Sequence, residues 1–97
     1  MKKVIGIHET GLKARKSENT TYNRIDLFIM TDEIPEEYST NFQGLYTYSY
    51  YIEKDKVKLT GANTWADLVG KEIDFRINFT NETKNNGIKI TEVYVVK

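Results

Sequence analysis

Residues 71–80, KEIDFRINFT, decide the class of the fold, because polar and apolar side chains alternate without a break from Glu72 onward. An alternation with a period of two is typical of a β-strand that turns one face toward a core. The polar side chains are expected in solvent. The apolar side chains are expected to point inward: Ile73, Phe75, Ile77 and Phe79.

The sequence after this strand predicts a hairpin. The segment 80–87 contains Asn86-Gly87, a dipeptide favoured in tight hairpin turns. Residues 88–96 alternate again, but their apolar phase shifts, which predicts a bulge near Thr91 and Glu92. We therefore expect the last two strands to pair.

Two further strands are predicted at the N-terminus. Residues 2–10 form the first, where Gly6 marks a bulge or a close backbone approach. Residues 21–31 form the second and alternate cleanly, with Ile25, Leu27 and Ile29 on one face. The polar, basic segment between them is expected to be a loop.

The third strand, residues 44–52 (GLYTYSYYI), carries aromatic side chains on both faces. Its tyrosine row, Tyr46, Tyr48 and Tyr50, either lines the core or forms a binding surface. If the tyrosine row is internal, Tyr51 is the exposed residue of this strand. Residues 53–56 (EKDK) then either turn into another strand, VKLTG, or extend the same one.

Short helical segments are expected at two places between the strands. In the acidic segment, residues 32–43, Pro35 fits a first helical position, so this region is a loop or a short helix. Thr64 and Asp67 have the spacing of a capping box, and Gly70 is a plausible stop, so one or two helical turns fit there.

Three strands, a short helix and two more strands follow one another in the order of the OB-fold, a five-stranded Greek-key barrel. We therefore predict a mainly β chain that forms a single OB-like barrel domain over residues 1–97. An SH3-like barrel is the main alternative, although its helical turn usually precedes the last strand.

Parts of the chain resemble a known group of proteins. VIGI at residues 4–7, a basic loop, a tyrosine-bearing second strand and the closing LVGKEIDFRINF…GIKITEVYVV are similar to small proteins of Gram-positive phages and conjugative elements. Those proteins in turn resemble the filamentous-phage helix-destabilising proteins. The resemblance covers residues 4–31 and 68–96, whereas the acidic segment departs from it. It implies an OB-fold that binds single-stranded DNA.

Composition excludes several kinds of chemistry. The chain has no Cys and one His, so a disulfide framework, a thiolate site and a His-rich metal site are not expected. No nucleophile and base stand at a diagnostic spacing, and no phosphate-binding glycine loop is present. We predict a protein that is not an enzyme and needs no cofactor or metal. The N-terminal apolar stretch is far shorter than a signal or membrane segment, which favours a cytoplasmic protein.

Charge and aromatic content point to a nucleic-acid site. The chain has 14 basic and 14 acidic residues, but they are unevenly distributed. Residues 1–31 hold six basic and three acidic residues, whereas residues 32–55 hold one basic and six acidic residues. Single-strand binders combine a positive groove with flat aromatic faces, and the OB-fold binds across strands 2 and 3. The candidate nucleic-acid-binding residues are Lys13, Arg15, Lys16, Tyr22, Arg24, Tyr46, Tyr48, Tyr50 and Lys84.

A protein-binding adaptor or inhibitor is the alternative hypothesis. The acidic segment contains Asp32, Glu33, Glu36 and Glu37 with aromatic residues around them, a composition suited to an interface or to mimicry of DNA charge. Zero net charge also favours this hypothesis, because dedicated DNA binders are usually basic. If the barrel is not fully closed, its exposed strand edges would favour a homodimer.

Overall fold

The computed structural model describes residues 1–14, 21–79 and 88–96, and for Lys13 and Ile88 it describes the backbone alone. The described residues form one sheet whose strand order is β3-β2-β1-β5-β6-β4. Its strands are β1 (Lys2–Ala14), β2 (Thr21–Thr31), β3 (Tyr46–Glu53), β4 (Lys58–Thr60), β5 (Glu72–Phe79) and β6 (Ile88–Val95). The prediction of a mainly β chain is confirmed.

The predicted five-stranded closed barrel is wrong in strand number and in closure. A 3-10 turn at Lys54–Lys56 interrupts the third strand and divides it into β3 and β4. β3 pairs antiparallel with β2, whereas β4 pairs parallel with β6. The sheet is therefore open between β3 and β4, although these two edge strands are consecutive in the chain.

The core lies on one face of this sheet, which curves around it. The fully buried residues include Ile25, Leu27 and Ile29 of β2, so the predicted inward face of that strand is confirmed. The rings of Tyr50 on β3 and Phe75 on β5 are 6.3 Å apart between centroids, although two strands separate them in the sheet. The remaining buried core residues are Val4, Ile52, Trp65, Leu68, Ile73 and Val93.

Both predicted bulges are present. The β1–β2 register passes from Val4 opposite Ile29 to Gly6 opposite Phe28, which leaves one extra residue in β1. In the β5–β6 pair the register shifts at Thr91. The first strand is longer than predicted, because a second irregularity before Gly11 lets pairing with β2 continue to Ala14. The predicted turn at Asn86-Gly87 lies outside the described residues.

The segments between the strands contain single 3-10 turns. A short 3-10 turn, Glu36–Tyr38, is present in the acidic segment, but Pro35 is its N-cap and not, as the sequence predicts, its first residue. The capping box is confirmed: the Asp67 backbone N–H donates to Thr64 Oγ1 at 3.3 Å, and the Thr64 N–H donates to Asp67 Oδ2 at 3.2 Å. Within residues 1–14, 21–79 and 88–96, no helix has the length and apolarity that a membrane crossing needs.

The inward assignment of β5 is half correct. Ile73 is buried and Phe75 packs against the core, but Ile77 is 45% exposed and Phe79 is 82% exposed. β1 pairs with β5 only at Ile73 and Glu72, so the second half of β5 pairs with β6 alone. Regular alternation therefore continues into the second half of β5, where Ile77 and Phe79 are exposed although their spacing matches that of Ile73 and Phe75.

Candidate functional site

Three neighbouring strands, β1, β2 and β3, present a surface on the side opposite the core, which we call the outer face. Residues that pair directly in an antiparallel sheet lie on the same face. Phe28 of β2 lies between Gly6 of β1 and Ser49 of β3 in this register. Asp26 likewise lies between His8 and Tyr51.

Two aromatic residues of the outer face are accessible to solvent. Phe28 is 42% exposed and Tyr51 is 52% exposed. Tyr51 lies two residues beyond Ser49, the partner of Phe28, so the two aromatics are diagonal neighbours, with Cβ atoms roughly 7–8 Å apart or less. Phe28 covers Gly6, where a Cβ atom would lie 3.6 Å from ring carbon Cδ2. The Phe28 ring therefore lies over the backbone of β1 at Gly6.

A polar cluster centred on Asp26 fixes the position of Arg24. Arg24 Nε donates to Asp26 Oδ1 at 3.0 Å, and Thr10 Oγ1 donates to Oδ2 at 3.2 Å. Burial alone would raise the pKa of Asp26, but hydrogen bonds from Arg24, Thr10 and His8 outweigh it and hold that pKa below its ordinary value. Asp26 therefore carries its charge on the folded protein and keeps Arg24 in place.

The Arg24 guanidinium also packs on an aromatic ring. Its central carbon lies 4.4 Å from the centroid of the Tyr51 ring, within the range of a cation–π contact. Asp26 therefore positions Arg24, and Arg24 in turn positions Tyr51. The outer face thus presents two flat apolar surfaces beside the ion pair of Arg24 and Asp26.

The tyrosine row lies on the other side of β3, toward the core. Tyr48 pairs with Ile29 and Tyr50 pairs with Leu27, and both partners are fully buried. The Tyr46 and Tyr48 rings stack with centroids 6.0 Å apart and planes at 26°. Burial raises the pKa of the Tyr48 hydroxyl. The tyrosine row is therefore partly buried packing, and Tyr51 is the exposed tyrosine of the strand.

The residues that the sequence proposes as a site separate into three groups. Tyr22 and Arg24 lie on the outer face of β2, and the tyrosine row lies on the core side. The Lys13 backbone pairs with Tyr22, whereas its side chain is not described. Arg15, Lys16 and Lys84 lie outside the described residues. The structure brings Tyr22 and Arg24 to one face and separates them from Tyr46, Tyr48 and Tyr50.

Phe28 is the residue that sequence reasoning misses as a site. Its position opposite Ile25, Leu27 and Ile29 in the alternation already places it on the outer face of β2. The signal that could have identified it is Gly6, because a glycine in a strand often marks a close approach of another group. Here that group is the Phe28 ring.

A second cluster of rings lies beside the acidic segment. Tyr38 is 5.9 Å from Tyr46 and 6.4 Å from Phe42, measured between ring centroids. Glu36 and Glu37 occupy the 3-10 turn that contains Tyr38, and both are exposed. This cluster combines apolar surface with negative charge, so it would attract a basic group and repel a phosphate.

A groove of about 540 Å³ lies between Glu9 of β1 and residues of the turn after β3, of β4 and of the segment that ends at Trp65. Its charged side chains already have partners: Lys54 Nζ is 3.5 Å from Glu9 Oε1, and Asn23 Nδ2 donates to Asp55 Oδ2 at 3.1 Å. Trp65 lines the groove and is 6% exposed, as part of the core. In the described parts of the chain, no three His, Asp or Glu side chains group to hold a metal ion.

In comparisons with known proteins, no family model, curated protein or solved structure matches this chain.

Proposed function

We propose that this chain is a non-enzymatic protein that binds single-stranded nucleic acid, most simply single-stranded DNA, on the outer face of β1, β2 and β3. The observation that carries the proposal is the group formed by Phe28, Tyr51 and Arg24 on neighbouring strands. Every base offers a flat face whatever the sequence, so exposed rings beside a cation suit a single strand without sequence preference. The resemblance to phage and mobile-element proteins favours the same ligand and a cytoplasmic site of action.

The energy of stacking shows what else the site needs. Stacking contributes roughly 1–3 kcal/mol per base, so two rings supply roughly 2–6 kcal/mol. Micromolar affinity needs about 8 kcal/mol, and phosphate contacts must supply the difference. Arg24 lies within the face, where it is paired with Asp26, and Lys3 lies on the same face opposite Met30. Lys13, Arg15 and Lys16 add positive charge to the same part of the sequence.

Strand order supports an OB-like arrangement. β1, β2 and β3 pair in sequence, β1 also pairs with β5, and β6 runs parallel to β4. We propose an open variant of the OB-fold in which the third strand is broken at Lys54–Lys56 into β3 and β4. OB-folds bind oligonucleotides on strands 2 and 3, which here correspond to β2 and β3. The outer face would therefore lie where such a fold binds its ligand.

The test is a fluorescence-anisotropy titration of a labelled single strand of about 20 nucleotides, long enough for one OB-fold site. A duplex of the same sequence is the control, and both are measured at low and at physiological salt. We expect micromolar or tighter binding that prefers the single strand and weakens with salt. Equal affinity for the duplex, or no binding at low salt, would reject the proposal.

Variants of the basic segment test the phosphate contribution. Lys13→Ala and Arg15→Ala should each weaken binding to all sequences alike and lower the salt slope by about 0.7. A variant that makes one phosphate contact fewer releases fewer counterions when it binds, so the salt slope changes along with the affinity. Unchanged affinity and slope in both variants would exclude this segment from the site.

Docking of a protein partner is the second candidate function, and the rings beside the acidic segment favour it. Tyr38 is 49% exposed and is followed by Phe42 and Tyr46 within ring-contact distance. If the chain is an adaptor of this kind, a pulldown should recover a partner protein in stoichiometric amount even after nuclease treatment. A pulldown that nuclease abolishes would favour nucleic-acid binding instead.

A further inference from the structure

His8 lies on the outer face, across β2 from Tyr51. It pairs with Asp26, which pairs in turn with Tyr51 of β3. The His8 side chain is 66% exposed, so its ring is largely accessible to solvent. Phe28 pairs with Gly6, two residues before His8, so His8 and Phe28 are diagonal neighbours. The imidazole therefore lies beside the two rings that the proposed site uses for stacking.

A chain of hydrogen bonds determines which ring nitrogen of neutral His8 carries the proton. Thr10 has one hydroxyl hydrogen, which Thr10 Oγ1 donates to Asp26 Oδ2 at 3.2 Å. The same oxygen lies 3.3 Å from His8 Nδ1. Because the hydroxyl hydrogen is directed at the carboxylate, the stronger acceptor, Thr10 Oγ1 accepts from Nδ1, and Nδ1 carries the proton. Nε2 is then the unprotonated nitrogen, and no group of the described residues forms a hydrogen bond with it.

The charged groups beside His8 on the outer face balance one another while the imidazole is neutral. On β2, Asp26 Oδ2 lies 3.6 Å from His8 Nδ1, and Asp26 Oδ1 accepts from Arg24 Nε at 3.0 Å. On β3, Glu53 lies opposite Arg24 and is 3.6 Å from Lys56. The centre of the outer face therefore carries no net charge when His8 is neutral.

The other charged groups near this part of β1 belong to different surroundings. Glu9 pairs with a buried residue of β2, so it lies on the opposite face, where Lys54 Nζ is 3.5 Å from its Oε1. The turn of the capping box also contacts β1, and its Asp67 accepts a hydrogen bond within that turn. Within the described parts of the chain, Asp26 is therefore the carboxylate at ion-pair distance from His8.

We infer that His8 binds a phosphate of the single strand when its ring is protonated, so that the outer face holds its ligand more tightly in mildly acidic solution. Protonation places a hydrogen on Nε2, which changes a solvent-facing acceptor into a donor. It also gives the group of His8, Asp26 and Arg24 a net positive charge. Histidine is the side chain that changes charge between about pH 5 and 8.

A phosphate is the chemical group that this arrangement fits. A charged N–H donor makes a strong hydrogen bond with a phosphate oxygen, and stacked bases on neighbouring rings bring their phosphates beside those rings. Arg24 is already paired with Asp26, so protonated His8 supplies the positive charge that this pair lacks. The inference rests on the proposed function, because it adds a phosphate contact and a dependence on pH to the same site.

Affinity measured against pH tests the inference. The probe is a thymidine oligonucleotide of about 20 residues with a pH-insensitive label, because thymine does not change charge in this pH range. His8 is the single histidine of the chain. At low salt we expect binding about fivefold tighter at about pH 5.5 than at about pH 7.5, because a surface ion pair is added. The salt slope should also be steeper by about 0.7 at the lower pH.

Three substitutions assign the pH dependence to one residue. His8→Gln should bind with the weaker affinity at both pH values, and His8→Lys should bind with the tighter affinity at both. Glu9→Gln, the matched control on the opposite face, should keep the pH dependence of the wild type. Circular dichroism verifies that each variant is folded.

Nitrogen-15 NMR of the His8 ring in the protein alone separates this inference from the proposed function. We expect the neutral ring to carry its proton on Nδ1. Single-strand binding that does not change with pH, a pH dependence that persists in His8→Gln, or a neutral ring protonated on Nε2 would overturn the inference and leave the proposed function standing. Absence of single-strand binding at every pH would refute the proposed function and this inference with it.

Discussion

Two tyrosines of β3 allow a matched test of which face of the sheet is the core. Tyr48 and Tyr51 are three residues apart on one strand, so they point to opposite faces. Tyr48 packs against the core cluster, whereas Tyr51 is 52% exposed. We expect Tyr48→Ala to reduce stability, and Tyr51→Ala to affect stability little but to weaken nucleic-acid binding.

The magnitude follows from the area that each ring loses. A tyrosine side chain buries about 150–250 Å² when it is fully enclosed, and burial contributes roughly 25 cal/mol per Å². Full burial would therefore be worth about 4–6 kcal/mol, and for the partly buried Tyr48 we expect a loss of about 2–3 kcal/mol. In a domain of this size that loss lowers Tm by about 10–20 °C. For Tyr51→Ala we expect a loss of about 1 kcal/mol or less.

Urea unfolding gives the measurement, and the chain supplies its own probe. Trp65 is the single tryptophan and is 6% exposed, so its fluorescence reports the loss of the core. A lower midpoint with an unchanged slope shows a loss of stability without a change in the surface exposed on unfolding. In the anisotropy titration, Tyr51→Ala should bind about fivefold to 150-fold more weakly, and folded Tyr48→Ala should bind as wild type. Equal stability losses in the two variants would refute this assignment of the faces.

Three further tests, with four substitutions, address other parts of the structure. Leu27 has no exposed surface, so Leu27→Ala should lower the free energy of unfolding by about 2–5 kcal/mol in urea. The pKa of Asp26 is held below its ordinary value, so its ionised form stabilises the protein above about pH 4, and that stability is lost as pH falls through the lowered pKa. Asp26→Asn should therefore flatten the acid limb of the stability curve, and an unchanged limb would contradict the cluster around Asp26. At Gly61 an added Cβ would lie 2.9 Å from Val95 Cβ, whereas Gly44 has the same left-handed φ with open space around it. Thermal unfolding should show that Gly61→Ala costs about 1–3 kcal/mol more than Gly44→Ala.

The local sequence pattern was sufficient to predict the buried face of a strand where one face is clearly apolar. In β2 the alternation of Ile25, Leu27 and Ile29 predicts the buried face, and these residues are 0–1% exposed. The capping box at Thr64 and Asp67 was also readable, because it depends only on residues three positions apart. Such features are determined within a few residues of chain.

The local sequence pattern was insufficient to predict the buried face where that face depends on pairing with another strand. β3 carries aromatic side chains on both faces, so its own sequence does not determine which face is internal. The register with β2 determines it, because Tyr48 lies opposite Ile29. Ile77 was misassigned for a related reason, since its alternation is regular but β1 does not extend beside it. The sequence also leaves open whether residues 53–56 turn into another strand or extend the third one, and the 3-10 turn at Lys54–Lys56 with the pairing of β4 to β6 decides for a separate strand.

The most direct test of the proposed site compares two exposed aromatic residues on different surfaces. Phe28 is 42% exposed on the outer face, and Tyr38 is 49% exposed beside the acidic segment. In the single-strand anisotropy titration we expect Phe28→Ala to weaken binding at least about fivefold, because it removes the ring on which one base stacks. We expect Tyr38→Ala to bind as wild type. Full affinity in Phe28→Ala, or a loss in Tyr38→Ala instead, would contradict the outer face as the binding site.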